Sequence, residues 1–428
     1  MTDTVQVQRN WKAPFFTIWT GQAFSLFGSN VAGFALVWWL TKSTGSATVL
    51  ATATLMMMLP GIILGPFAGA CVDRWNRRLV MIVADGFVAL ISAWLAYLFL
   101  VGALQPWHVY VIMAARSLGG TFQFPAMQAS TSLMVPKEQL SRVAGMNQAL
   151  SGVMNIIAPP IGALLISVLP FYAVMGIDVV TAIIAILPLF FVAIPQPVRQ
   201  AVATGATSLW QDMGEGFRYV RGWPGLLIVM AMATVINLLL SPAFSLIPIL
   251  VTRHFHGQAL ELGWMNSAWG IGVVAGGFIL SAWGGFKRRV LTSMLGLIGM
   301  GIGITVQGLA PGSAFVAALG AMALTGVMNP ICNGPLFAIM QTRVAPEMQG
   351  RVFTLLSSAA GAASPLGLAV AGPVSDWLGV RSWYVAGGVA CLLMGVIGLM
   401  LPALAHMEDE RPASSPAAVL QAEPELGE

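Results

Sequence analysis

Charge is what this sequence has least of. Only 8% of its 428 residues are Asp, Glu, Lys or Arg, against about 25% in a soluble domain. With 57% hydrophobic residues and a mean hydropathy of +0.82, a water-soluble globule is excluded and a polytopic membrane protein implied. Cysteine is also scarce. Cys71, Cys332 and Cys391 lie far apart in apolar surroundings, with neither a disulfide framework nor a metal-ligand spacing, so they read as packing residues. Histidine is limited to His108, His254, His256 and His406 at helix ends or in loops, too few for a metal site. There is no GxxxxGK[ST] phosphate loop and nothing resembling a nucleophile-base pair, which argues against ATP hydrolysis and against an enzyme. No cofactor is expected. The net charge of +4 does not point to nucleic acid, because the basic residues are scattered among short loops and not gathered in a stripe.

What is present is apolar runs. A bilayer core takes about 20 residues as helix, and the chain divides into twelve such pieces, six between Phe15 and Ile194 and six between Pro224 and Leu404. The first, preceded by Arg9 and Lys12, is too long for the 7–15 residues of a signal-peptide core and is expected to stay as a helix. Loop charge gives the orientation. With the N-terminus inside, 16 of the 20 basic residues fall in cytoplasmic segments; Lys42, Arg253 and Arg381 fall outside, and Arg116 falls within a helix. Both termini are therefore expected in the cytoplasm. The expected division is a bundle over 1–194, a linker over 195–222, a second bundle over 223–404 and a disordered acidic tail over 405–428. From Ser208 the linker places Leu209, Met213 and Phe217 on one face, as a surface-lying amphipathic helix would.

The two halves repeat each other. Arg77-Arg78 and Arg288-Arg289 are 211 positions apart, Pro125 and Pro335 are 210 apart, and VPKEQLSRV from Val135 matches APEMQGRV from Ala345 after one deletion. Six helices per half keep the repeats parallel, and a substrate is then expected near the midplane between them. The fold class expected is all-α, twelve transmembrane helices in two parallel six-helix repeats.

An ionisable residue inside a membrane costs on the order of 3 kcal/mol or more at a helix centre and should mark a pathway or a partner. Three qualify: Arg116, Asp178 and Asp85. Arg116 and Asp178 lie at similar depth in the first half. They read as a proton-coupling pair, with Asp178 carrying the proton, as a permanent structural ion pair, or as groups that contact unrelated helix carbonyls. On the helix of Arg116, Gly120, Gln123 and Met127 follow at i+4, i+7 and i+11, one face suited to a cavity. The repeat puts Gln123 on Asn333 and Arg116 on Gly326, so each half offers an amide but only one a charge; interhelical hydrogen bonding is the alternative for the amides. Phe27, Asn30 and Phe34, with Phe24, share a face of the first helix, and Asn237 and Phe244 lie on the seventh. Such aromatic and amide surfaces suit a large amphipathic ligand, and ordinary packing is the alternative.

The loop GACVDRWNRRLV, Gly69 to Val80, sets Asp73, Arg74, Arg77 and Arg78 between two apolar runs. The arginines serve topology. The acid could cap a helix across the halves or pair with Arg77, forming a cytoplasmic gate weak enough, at about 0–1 kcal/mol, to open in each cycle. The echo GGFKRRVL, from Gly284, has no matching acid.

That loop resembles the signature between the second and third helices of the major facilitator superfamily, with Asn76 in place of its usual glycine, and Arg116 with Gly119 and Gly120 resembles the fourth-helix arginine motif. Ala158-Pro159-Pro160-Ile161-Gly162-Ala163 is similar to the fifth-helix motif of drug:proton antiporters, Ala158 replacing its first glycine; Pro159, Pro160 and Gly162 match. NWKAPFFTIWTGQAFSLFGS, LTKSTGSATVL and VPKEQLSRVAGMNQAL look most like the macrolide efflux proteins. The resemblance implies a monomer in the bacterial cytoplasmic membrane whose partners are an amphipathic small molecule, protons and the lipid bilayer. Export of another compound, such as a siderophore, and a non-transporting sensor on the same fold are the alternatives.

Overall fold

The computed structural model describes residues 11–192, 194, 214, 217–405 and 407–408, apart from the side chains of Pro66, Ala70, Asp73, Pro346 and Glu347. Most of the expected linker and tail, including Leu209 and Met213, lies outside them. Among the described residues twelve helices are 21 residues or longer: α1 (Lys12–Thr44), α2 (Ala47–Arg74), α3 (Arg77–Leu100), α4 (Pro106–Met134), α5 (Leu140–Val168), α6 (Phe171–Phe191), α7 (Pro224–Ser245), α8 (Ala259–Trp283), α9 (Arg289–Leu309), α10 (Phe315–Arg343), α11 (Pro346–Leu378) and α12 (Val380–Met400). Eleven are apolar and long enough to cross a membrane. The one that falls short is α4, diluted by Arg116, Gln123 and Gln128.

The turns follow from local chemistry. Gly45 closes α1 with φ 63°, a left-handed conformation that glycine adopts without a Cβ penalty, and its N–H donates to the Thr41 carbonyl at 2.8 Å. Ser46 then caps α2, its hydroxyl accepting from the Val49 amide at 3.3 Å. Asn76 caps α3 in the same way, accepting from the Leu79 amide at 3.2 Å. Asparagine at that place thus starts a helix.

The described residues fall into two compact units, those of Met1–Gln200 with Ser245–Ser267 and those of Ala201–Phe244 with Ala268–Glu428. In the first, α3 packs against both α4 and α6; in the second, α9 packs against both α10 and α12. Their cores correspond as well. Val80, Met134 and Val143 are buried together in one, and Val290, Val344 and Val352 in the other, at the offset of the internal repeat. In the second unit Trp223 and Met407 join that cluster, so the chain just past α12 packs against the start of α7. Small residues bring the helices close. A Cβ on Gly303 of α9 would lie 2.2 Å from Thr325 Oγ1 of α10, and one on Gly301 would lie 2.7 Å from the Leu392 amide of α12. Large apolar side chains such as Leu90, Phe191, Phe278 and Trp377 are left exposed, as lipid-facing surfaces require.

Candidate functional site

Four helices of the first unit converge on one buried carboxylate. Asp178 of α6 is 1% exposed and pairs with Arg116 of α4, which is 12% exposed. Its other donors are Ser29 of α1, whose hydroxyl reaches Oδ1 at 2.9 Å, and Ser92 of α3, whose hydroxyl reaches Oδ2 at 2.6 Å. Arg116 also donates to Ser92 and, at 3.4 Å, to the Ser29 carbonyl. A buried charge without partners is very costly, and here the countercharge and two hydroxyls supply them. Gly28 makes the cluster possible: a Cβ there would meet Thr181 Oγ1 at 2.0 Å and the Asp178 Cα at 3.1 Å. The two charges expected to meet do meet.

Arg116 lines two cavities. The larger, about 980 Å³, is walled by Asn30, Phe34, Met57, Met113 and Phe124. The smaller, about 390 Å³, is walled by Trp19, Gln22, Asp85, Gln123, Met127 and Asn147. Its polar groups are linked. Gln123 donates to Gln22 Oε1 at 2.6 Å, and Gln22 donates to Asp85 Oδ2 at 2.7 Å. Trp19 donates to Asn147 Oδ1 at 2.8 Å.

The aromatic face expected on the first helix divides. Phe34 lines the larger cavity and rests on Gly162 of α5, where a Cβ would lie 3.1 Å from its ring. Phe24 is 56% exposed, and Phe27 lines neither cavity. Asn30 lines the larger cavity while donating to the Leu26 carbonyl at 2.7 Å. In the second unit Asn237 and Asn333 donate to carbonyls of their own helices, Ala233 at 2.9 Å and Asn329 at 3.0 Å, and Phe244 packs on Trp269 with centroids 4.6 Å apart. Gly326, the repeat mate of Arg116, is a helix crossing: a Cβ there would lie 2.4 Å from the Trp269 carbonyl.

Residues 11–426 match the family described as transmembrane secretion effector. The chain belongs to that family, within the major facilitator superfamily. Macrolide efflux protein A of Streptococcus pyogenes is 33% identical over 392 residues, covering 92% of this chain and 96% of that protein. The multidrug efflux pump Tap of Mycolicibacterium fortuitum is 27% identical, covering 89% and 94%. Among solved structures, a D-xylose-proton symporter superposes with a TM-score of 0.68 at 13% identity, over 93% of this chain and 99% of that one, a likeness of fold.

In this member of the family the loop arginines bond to other helices of the first unit. Arg77, 7% exposed, donates to the Ala129 carbonyl of α4 at 2.9 Å, and Arg78 donates to the Phe190 carbonyl at the end of α6 at 2.6 Å. Cations at helix C-termini are favoured by the macrodipole. Arg74 is exposed, and the side chain of Asp73, the acid of the expected gate, lies outside the described residues.

Pro159 and Pro160 both lie inside α5. Proline has no N–H, so Pro160 leaves the Ile156 carbonyl without its helical donor, and the Ser267 hydroxyl of α8 supplies one at 2.6 Å. Ser267→Ala is expected to lower stability by on the order of 1 kcal/mol. In a Pro160→Ala background the same change should cost much less, because the helix then satisfies its own carbonyl. Thermal unfolding of wild type and the three variants in detergent measures the coupling, and additive effects would refute it.

Gln22, Ser29 and Ser92 were not among the residues expected at a site, and Asp85 was expected to mark a pathway or a partner without a stated role. Asp85 is detectable in sequence as a charge within an apolar run; the serines and Gln22 gain meaning only from their partners on other helices.

Proposed function

We propose that this protein exports amphipathic drugs of the macrolide type across the bacterial cytoplasmic membrane in exchange for protons, by alternating access, as a monomer with both termini in the cytoplasm. The observation that carries this reading is the similarity to macrolide efflux protein A over nearly the whole of both chains. The cavities support it. A volume of about 980 Å³ lies at the upper end of drug-sized sites, and Phe34, Phe124, Met57 and Met113 give it an adaptable apolar wall beside one cation. Loop charge supports the orientation.

Erythromycin accumulation should be several-fold lower in cells producing the protein than in cells without it, and an uncoupler should erase the difference. A difference that survives the uncoupler removes proton exchange. No difference for erythromycin or for any of a broad drug panel removes export.

A further inference from the structure

We infer that Asp85 is the group that takes up and releases the proton, and that Gln22 and Gln123 convey its state to the smaller cavity by reversing their hydrogen bonds. This rests on the proton-exchange reading above.

Among the described residues the first unit buries two acids, and their surroundings differ in kind. Asp178 has Arg116 beside it and serine hydroxyls on both oxygens. Asp85, 6% exposed, receives one neutral amide. The charged groups on the elements around it are accounted for elsewhere. Arg116 of α4 is paired to Asp178 of α6, and Arg77 and Arg78 of α3 bond to carbonyls of α4 and α6. On α2 the charged residues, Asp73 and Arg74, stand at its last two positions; α1 and α5 bring Gln22 and Asn147 to the cavity, and their charged residues, Lys12, Lys42 and Arg142, are exposed. Among the described residues no cation forms an ion pair with Asp85. An ion without a countercharge in a medium of low dielectric is costly, and binding a proton removes that cost. Asp178 already has its compensation.

The relay follows from donor and acceptor inventories. An ionised carboxylate only accepts, so Gln22 must turn its NH₂ to Asp85, and its Oε1 accepts from Gln123. Gln123 then has its own carbonyl oxygen left for the cavity that it lines. Transfer of a proton from hydronium makes the carboxylate a carboxylic acid and leaves water. The new O–H can donate to Gln22 Oε1 once that amide turns over. Gln22 then donates to Gln123 Oε1, and Gln123 offers the cavity an N–H. One proton thus changes a cavity acceptor into a cavity donor. A ligand that presents its own donors there, a protonated amine or a hydroxyl, suits the ionised state and is repelled by the protonated one. Its binding and the proton exclude each other without contact.

The test uses purified full-length protein in weakly buffered detergent, with labelled erythromycin, which carries an amine and several hydroxyls, as the probe. At a pH where free Asp85 is protonated, wild type should release about one proton per molecule bound, and its affinity should fall about tenfold for each pH unit lower. Asp85→Asn, which has no proton to exchange, should show no proton release and a probe affinity, at whatever level, that no longer changes with pH. Gln22→Met keeps the side-chain length, and the probe binding that it retains should show neither the release nor the pH dependence. Normal proton release from Gln22→Met overturns the relay alone. Normal release from Asp85→Asn, or its loss in an Asp178→Asn protein that still binds, moves the proton site and overturns the inference. A wild-type protein that binds with no release at any pH, or does not bind, overturns the macrolide-proton exchange reading and the relay with it.

Discussion

Replacing Arg116 with alanine is expected to cost about 3–5 kcal/mol of stability, because it leaves a buried carboxylate without its countercharge. Asp178 would remain 1% exposed, with two serine hydroxyls as its donors. The cluster joins α1, α3, α4 and α6, so the damage should spread through the first unit. A double replacement, Arg116→Leu with Asp178→Leu, separates charge from packing. Replacing a buried ion pair by apolar residues is often close to neutral, so the double variant should unfold near the wild-type temperature. It should not recover efflux, because Arg116 is the cation that both cavities share. Thermal unfolding in detergent and drug accumulation in cells measure the two effects. If the single variant is as stable as wild type, the ion pair does not hold these helices.

The fold was legible because it repeats. The 210-residue offset found in loops and prolines reappears in the cores, where Val80 and Val290 occupy equivalent places. The helix least apolar in composition is α4, which brings Arg116, Gln123 and Met127 to the cavities, so the polar face read from spacing was informative. The aromatic face of α1 was less so. Spacing places side chains on a face but does not say which neighbour covers it, and Phe34 met Gly162 while Phe24 was left exposed. The bonds of Arg77 and Arg78 to carbonyls 52 and 112 positions away could not be anticipated, because a carbonyl carries no sequence signal. Gln22 was hidden for a related reason. A lone amide in an apolar run is unremarkable until an acid on another helix faces it. Asn76 shows the reverse, a departure from a family pattern that local capping chemistry explains.

The contact of α1 with α6 gives the second large effect. Gly28→Ala adds a single methyl group, yet its Cβ would lie 2.0 Å from Thr181 Oγ1 and 3.1 Å from the Asp178 Cα. The hydroxyl of Thr181 is itself bonded to the Asp178 carbonyl at 3.0 Å, and a β-branched side chain has little room to turn in a helix. The helices must therefore separate at the level of the ion pair, pulling Ser29 from its 2.9 Å bond to Asp178. Overpacking of this kind costs about 1–3 kcal/mol, and efflux should be lost with the geometry of the cluster. Adding Thr181→Ala removes the nearer clash and should restore part of both. Gly176→Ala, on α6 with nothing within 4 Å of the added carbon, should leave efflux unchanged. Thermal unfolding and drug accumulation of the three variants decide the matter. If Gly28→Ala retains wild-type stability and efflux, α1 and α6 are not held at the close approach that the Asp178 cluster requires.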